Sequence, residues 1–522
     1  MPIRMEQDPQ DQGGQQNQRG GSGNSLLRFL PLILMFIFKR PKLILPVLLV
    51  GGVWYFFLGG QQMLSGSLSG GGGGDQAGLN DGYTFGASLS EEEYDKAQVF
   101  EPLSYGFGQN SLPSRVSLEE YAPKRLHQGR QGSCVGWASA YAARTILEAR
   151  ASGKSPNNVA FSPSYLYNQI HLENCQGAYM RNAMETMRQN GNLPFNQFQY
   201  SDRSCSNYPD RSDIQQGQQY RIKGYNRLSK GGSNYKTDLV AIKQNLAQGA
   251  PVVIGMMVGG TFMQDMIRRK VWKPTQRDYN MRGYSGHAMC VIGYNDNFNG
   301  GSFQIMNSWG PDWGENGIFW MNYRDFDHFT REAYGLHPMG KAGSKQFNDN
   351  KLGIQFGLFD VETKKEIALS KAGDISFKTV RPIEKGDKFK ILVENSIECY
   401  IYVFGQETDG SSYVLFPYTG KHSPYCGIVG TRLFPKDYSM KADDLGSKDY
   451  IAVVVSKTEL DYNRLNQSIS NSRQSSYAGK VKEALGNQRI TDVNFKSGST
   501  ISFEANTKGK NAVGMVIGID KR

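Results

Sequence analysis

Residues 128–151 join a turn-prone run to an amphipathic helix, and that junction constrains the fold more than any other stretch. Gly129 and Gly132 interrupt regular structure between Gln128 and Ser133. Beyond them Ala138, Tyr141, Ala142 and Ile146 recur at helical spacing on a face built round Trp137. Cys134 therefore falls in the first turn of the predicted helix. There the helix dipole and unpaired backbone N–H groups favour a thiolate over a thiol. A cysteine so placed is, taken alone, more often a small buried hydrophobe than a nucleophile. The rest of the chain decides between the two.

A chain of 522 residues exceeds one hydrophobic core, so two or three domains are expected. Hydrophobic content of 39% with 12% aromatics supports globular packing. The net charge of +11 comes from basic residues scattered among acidic ones without a recognition motif. A nucleic-acid partner is therefore not expected. Six cysteines and six histidines form no Cys-x-x-Cys or His-x-x-x-His pair, so neither a structural zinc site nor a cofactor is expected.

Residues 1–25, rich in Gln, Gly and Asn, predict a disordered tail. Two apolar runs follow, Leu26 to Phe38 and Leu43 to Leu58, separated by Lys39-Arg40-Pro41-Lys42. The first is interrupted by Arg28 and Pro31. The second, with its glycine flanks, just reaches spanning length and ends in the aromatic run Trp54-Tyr55-Phe56-Phe57. These features predict a membrane anchor over 26–60 with one transmembrane helix at about 43–59. Basic residues precede that span, and none follows until Lys96. The positive-inside rule then makes the tail cytoplasmic and places the remainder outside, periplasmic or extracellular. A hairpin of both runs, returning the chain to the cytoplasm and translocating the three basic residues of its turn, is the rival topology. Residues 61–111 are expected to form a glycine-rich tether and short linker.

Downstream lie Gly-His287-Ala-Met-Cys-Val-Ile-Gly-Tyr and Asn307-Ser-Trp309-Gly-Pro-Asp-Trp313-Gly-Glu-Asn-Gly. Together with Gln128-Gly129 leading into Gly-Ser-Cys134, these blocks resemble the papain family of cysteine peptidases over roughly 112–335, particularly its bacterial members. The resemblance implies an α+β fold with a helical lobe and a β-barrel-like lobe, spanning 112–340, whose cleft sets Cys134 opposite His287. It implies a cysteine endopeptidase acting on polypeptides, with Cys134 as nucleophile, His287 as base and acid, and Asn307 orienting the imidazole. Gln128 and the Cys134 N–H are implied to form the oxyanion hole. Trp309 is implied to shield the His–Asn bond, and Gly177 to line the substrate backbone. The sequence departs from the family at Gln131, where a disulfide cysteine is common, and at Ala178, where a second glycine is usual.

Helices are predicted from Cys134 to about Ala151, at 162–171, 178–189 and 236–248. Strands are predicted at 222–228, 251–258, 287–294, 302–307 and 317–323. With Cys134 reserved, Cys175 with Cys205 and Cys399 with Cys426 either form two disulfides, as suits an oxidising compartment, or remain thiols. From about residue 345 the pattern alternates with period two, predicting a mainly-β domain over 345–522 with a polar helix between 459 and 485. It resembles an uncharacterised accessory domain fused to bacterial peptidases. A scaffold with a vestigial peptidase domain, and a peptidoglycan amidase, are the rival functions.

Overall fold

The computed structural model of the chain describes residues 3–7, 83–104, 111–229, 236–343 and 350–522 apart from 437. It comprises two compact units, Met1–Asp8 with Leu79–Arg522, and Pro9–Gly78. The anchor expected over 26–60 and most of the glycine-rich tether lie outside the described residues. Among the described residues no helix is long and apolar enough to cross a membrane.

The first lobe is built on one long helix. It starts as Cys134–Gly136, widens to π geometry through Trp137–Arg144, and ends as Thr145–Ser152 before Gly153 at φ +71°. Gly136 allows the close approach of a second helix, Pro163–Ile170, since a Cβ there would lie 2.7 Å from the Pro163 carbonyl oxygen. Ser162 caps that second helix by accepting from Tyr165 N–H. A third helix, Met180–Gln189, turns Met180, Ala183, Met184 and Met187 inward at the expected helical spacing.

The second lobe is an antiparallel sheet of seven strands, in the order 225–227, 330–336, 252–258, 285–295, 302–306 and 318–322, with 115–117 added beside 285–295. Its central strand, Ser285–Asn295, is buried from His287 to Tyr294 and carries His287 near its start. The strand Thr330–Leu336 and its pairing with both 225–227 and 252–258 were not legible in the sequence.

Cys175 and Cys205 form a disulfide, whereas Cys399 and Cys426 are free thiols although their Cα atoms are register partners on adjacent strands. The expectation of two bridges is thus half met. The Cys175–Cys205 bridge closes a separation of 30 residues beside Gly177 and Ala178. Cys205→Ser should lower stability by roughly 2–4 kcal/mol, read as a drop in denaturant midpoint, with a steeper slope because the unfolded chain expands.

The C-terminal domain packs two sheets face to face. Phe356, Leu358, Ile391 and Val393 from one meet Ile401, Val403, Val453 and Met515 from the other. The outer face of the second sheet is covered by helices Tyr462–Asn471 and Tyr477–Leu485, so the single helix expected there is two. Two segments expected to lack structure have it. Ile3–Gln7, within the tail expected to be disordered, is a strand paired with Tyr438–Ala442. Within the expected linker, Glu91–Asp95 is a helix capped by Ser90, and Val99, Phe100 and Ser104 hydrogen-bond to Lys421, Arg227 and Thr431. That stretch is thereby wedged between the two domains.

Candidate active site

Cys134 begins its helix fully buried, and its Sγ accepts from the Ala288 N–H at 3.4 Å. The sulfur thus lies against the strand that carries His287, which joins the two predicted residues across the lobe boundary. His287 is also fully buried, and its Nε2 lies 2.8 Å from Asn307 Oδ1. Asn307 Oδ1 accepts in addition from the Ser308 N–H at 2.8 Å, which identifies that atom as the oxygen. Nε2 therefore carries the proton and donates, leaving Nδ1 as the basic nitrogen. Nδ1 has no hydrogen-bond partner among the described residues. Trp309 stacks on the imidazole with centroids 4.4 Å apart.

Gln128 is held by groups on both lobes. Its Oε1 accepts from Ser308 Oγ at 2.6 Å, and its backbone oxygen accepts from Tyr200 OH at 2.6 Å. Tyr200 in turn is 2.6 Å from Ser133 Oγ, beside the nucleophile. With Oε1 committed, the Gln128 amide turns its N–H groups to the Gln131 oxygen at 3.0 Å and the Thr84 oxygen at 3.1 Å. Ser308 and Tyr200 are supporting residues that sequence reasoning missed. Ser308 stood inside the Asn-Ser-Trp-Gly block, whereas nothing in the sequence marked Tyr200.

The cleft is filled by the protein's own chain. Residues 83–89, expected to be linker, run through it and meet Gln128, Gly177, His287 and Trp309. The Thr84 carbonyl accepts from Gln128 and, at 3.3 Å, from Trp309 Nε1, so it takes the donor assigned to a substrate oxyanion. Gly86 and Ala87 N–H both donate to the Gly286 oxygen, at 3.4 and 3.1 Å. Ala178 N–H donates to the Gly86 oxygen at 2.9 Å, and Ser88 N–H to the Ala178 oxygen at 3.0 Å. Phe85 points an edge at His287, and Tyr83 stacks on Trp309. Gly177, at φ +116°, gives Gly86 room to approach: a Cβ there would lie 3.0 Å from the Gly86 carbonyl carbon. Gly177 and Ala178 therefore form the wall on which an extended backbone lies, with alanine supplying the same main-chain groups as glycine.

Burial disfavours the charged forms of both Cys134 and His287. It pushes the Cys134 thiol up to about 12 and the His287 imidazole down to about 4. The thiolate–imidazolium pair suggested by the helix dipole is thus suppressed while the cleft is closed. At the far end of the segment, buried Glu332 accepts from Ser90 N–H at 2.9 Å and from Tyr334 OH at 3.1 Å. Burial raises its carboxyl from 4.5 to about 7. Because the folded value is the higher one, its stabilising contribution is whole below pH 4.5 and is lost as pH rises through about 7. Thermal unfolding between those values should fall more steeply with pH in the native protein than in Glu332→Gln.

A buried thiol on one lobe, set against an imidazole–amide pair on the other, defines an α+β class of two-lobed cysteine–histidine proteins. The chain belongs to the papain family of cysteine proteases, whose family pattern matches residues 115–335. Residues 383–459 match a domain of unknown function, DUF4384. The chain is 30% identical over 211 residues to an uncharacterized peptidase C1-like protein of Acanthamoeba polyphaga mimivirus, covering 39% of this chain and 65% of that protein. It is 30% identical over 233 residues to a cathepsin B-like protein of Giardia intestinalis, covering 40% and 67%. Among solved structures, xylellain, a cysteine protease from Xylella fastidiosa, aligns with TM-score 0.40 and 23% identity over 49% of this chain and 95% of that one. The chain spans 65%, 66% and 62% of the lengths of relatives from mimivirus, Giardia intestinalis and Entamoeba histolytica.

Proposed function

We propose that this chain is a cysteine endopeptidase that hydrolyses peptide bonds in polypeptides and is held latent by its own residues 83–89. The observation that carries the reading is that Cys134 lies against the strand of His287, His287 is bonded to Asn307, and Gln128 is bonded to Ser308 beside Asn307 and to the Thr84 oxygen of the segment. In the open enzyme His287 Nδ1 takes the Cys134 proton, and Sγ attacks the carbonyl carbon of the scissile bond. Gln128 Nε2 and the Cys134 N–H donate to the developing oxyanion. The imidazolium then protonates the leaving amine, and water, deprotonated by the same nitrogen, releases the acyl group from sulfur. Asn307 accepts from Nε2–H throughout and holds the ring in that orientation.

An asparagine suffices there because the charged state is a thiolate–imidazolium pair, whose charges balance without a buried carboxylate. The sequence further supports attachment to a membrane through residues 26–60, with the catalytic domain outside. The Cys175–Cys205 disulfide suits that compartment. A thiol-directed epoxide should label Cys134 and no other residue, label Cys134→Ala not at all, and label faster when the segment is displaced. Absence of labelling in a folded, displaced-segment variant would sink the assignment.

A further inference from the structure

We infer that both ends of the apolar region emerge on the same face of the membrane, so that the two runs form a hairpin rather than a single span. The inference rests on the membrane attachment proposed above. Two independent observations carry it.

The first is the strand Ile3–Gln7. It pairs antiparallel with Tyr438–Ala442 through five register partners, Ile3 facing Ala442 and Gln7 facing Tyr438. Ile3 is 2% exposed within the core of the C-terminal domain, and its N–H donates to Tyr413 OH at 3.3 Å. Glu6 lies 3.0 Å from Lys388 and 2.9 Å from Lys441. Met1–Asp8 and Leu79–Arg522 accordingly form one compact unit. A strand cannot pair across a bilayer. An odd number of crossings between residues 9 and 78 is therefore incompatible with this sheet, and the single-pass topology with it.

The second is charge. Lys39, Arg40 and Lys42 all lie between the two apolar runs. Before the runs, residues 1–25 carry two basic residues, Arg4 and Arg19, and after them none occurs until Lys96. The positive-inside rule thus retains the turn in the cytoplasm and lets both flanks cross, which is the topology the strand requires. A run of about 13 residues reaches only roughly 20 Å as a helix, against ~30 Å of hydrocarbon. Local thinning of the bilayer to accommodate so short a run costs fractions of a kcal/mol per Å.

The test uses the full chain in sealed membranes of its expression host. Single cysteines replace Gln10, Pro41 and Gln76 (Gln10→Cys, Pro41→Cys, Gln76→Cys), and a membrane-impermeant maleimide–polyethylene glycol reports exposure as a gel shift. The native thiols are buried, which keeps the background low. Near-complete modification of Gln10→Cys and Gln76→Cys from outside, with Pro41→Cys modified only after permeabilisation, is the expected result. Protection of Gln10→Cys while Gln76→Cys is modified restores a single span and overturns the inference. Modification of all three from outside overturns the crossing. Release by alkaline carbonate instead overturns the membrane attachment itself, separately from the topology. In parallel, Met5→Cys with Met440→Cys, or Ile3→Cys with Ala442→Cys, should cross-link within a monomer on mild oxidation. Cross-linking of neither pair, or only into a dimer, removes the strand on which the inference stands.

Discussion

Gly86→Val is expected to raise turnover of a short peptide substrate tenfold or more. A Cβ at Gly86 collides with the Gly132 carbonyl oxygen and carbon and would lie 2.7 Å from Gly132 Cα. All three are backbone atoms in the loop that leads into Cys134, and they cannot swing aside as a flexible side chain does. The segment must lift. It is held across the cleft by the Gly86, Ala87, Ala178 and Ser88 main-chain bonds, each contributing about 1 kcal/mol net. Every 1.4 kcal/mol lost multiplies the open fraction by ten, and apparent substrate affinity follows that fraction. Phe85→Ala, which removes a ring edge from His287 and Trp309 but leaves the backbone bonds, should give a smaller rise. Progress curves for both variants, with circular dichroism to establish folding, decide the matter. Folded Gly86→Val with native or lower turnover would show that residues 83–89 are not what restrains the enzyme.

Cys134→Ala in that activated background should abolish turnover, while Gln128→Ala should reduce kcat by about 10²–10³. The difference follows from what each residue supplies. Without Sγ no covalent intermediate forms, whereas without the Gln128 amide one of two oxyanion donors remains. The loss at Gln128 should fall on kcat rather than KM, because the amide meets its full partner only when the carbonyl oxygen gains charge. Ser308→Ala, which frees Gln128 Oε1, should give a smaller loss with the same kcat-dominated split. Steady-state kinetics on one substrate tests the set. Equal losses at Gln128 and Cys134 would mean that Gln128 holds the fold rather than the oxyanion.

The candidate site residues were legible because each sat in a local motif: a cysteine after a glycine-rich turn, a histidine opening an apolar strand, an asparagine in Asn-Ser-Trp-Gly. Helices such as Met180–Gln189 and strands such as Val252–Val258 were legible through their hydrophobic period. Residues 83–89 were not, since they bind through main-chain groups and leave no periodic pattern. Ile3–Gln7 was hidden for a related reason: a short edge strand in a polar tail is defined by the partner it pairs with.

By itself, then, the sequence determined the two-lobed α+β peptidase domain, the β-rich domain after it and the candidates for the reacting groups, because spacing and side-chain chemistry are written residue by residue. Only the tertiary structure decided that the cleft is closed, that the thiol and imidazole are uncharged within it, and that the first residues join the last domain. Those properties depend on burial and on backbone pairing between segments far apart in the chain, and neither is encoded at any one position.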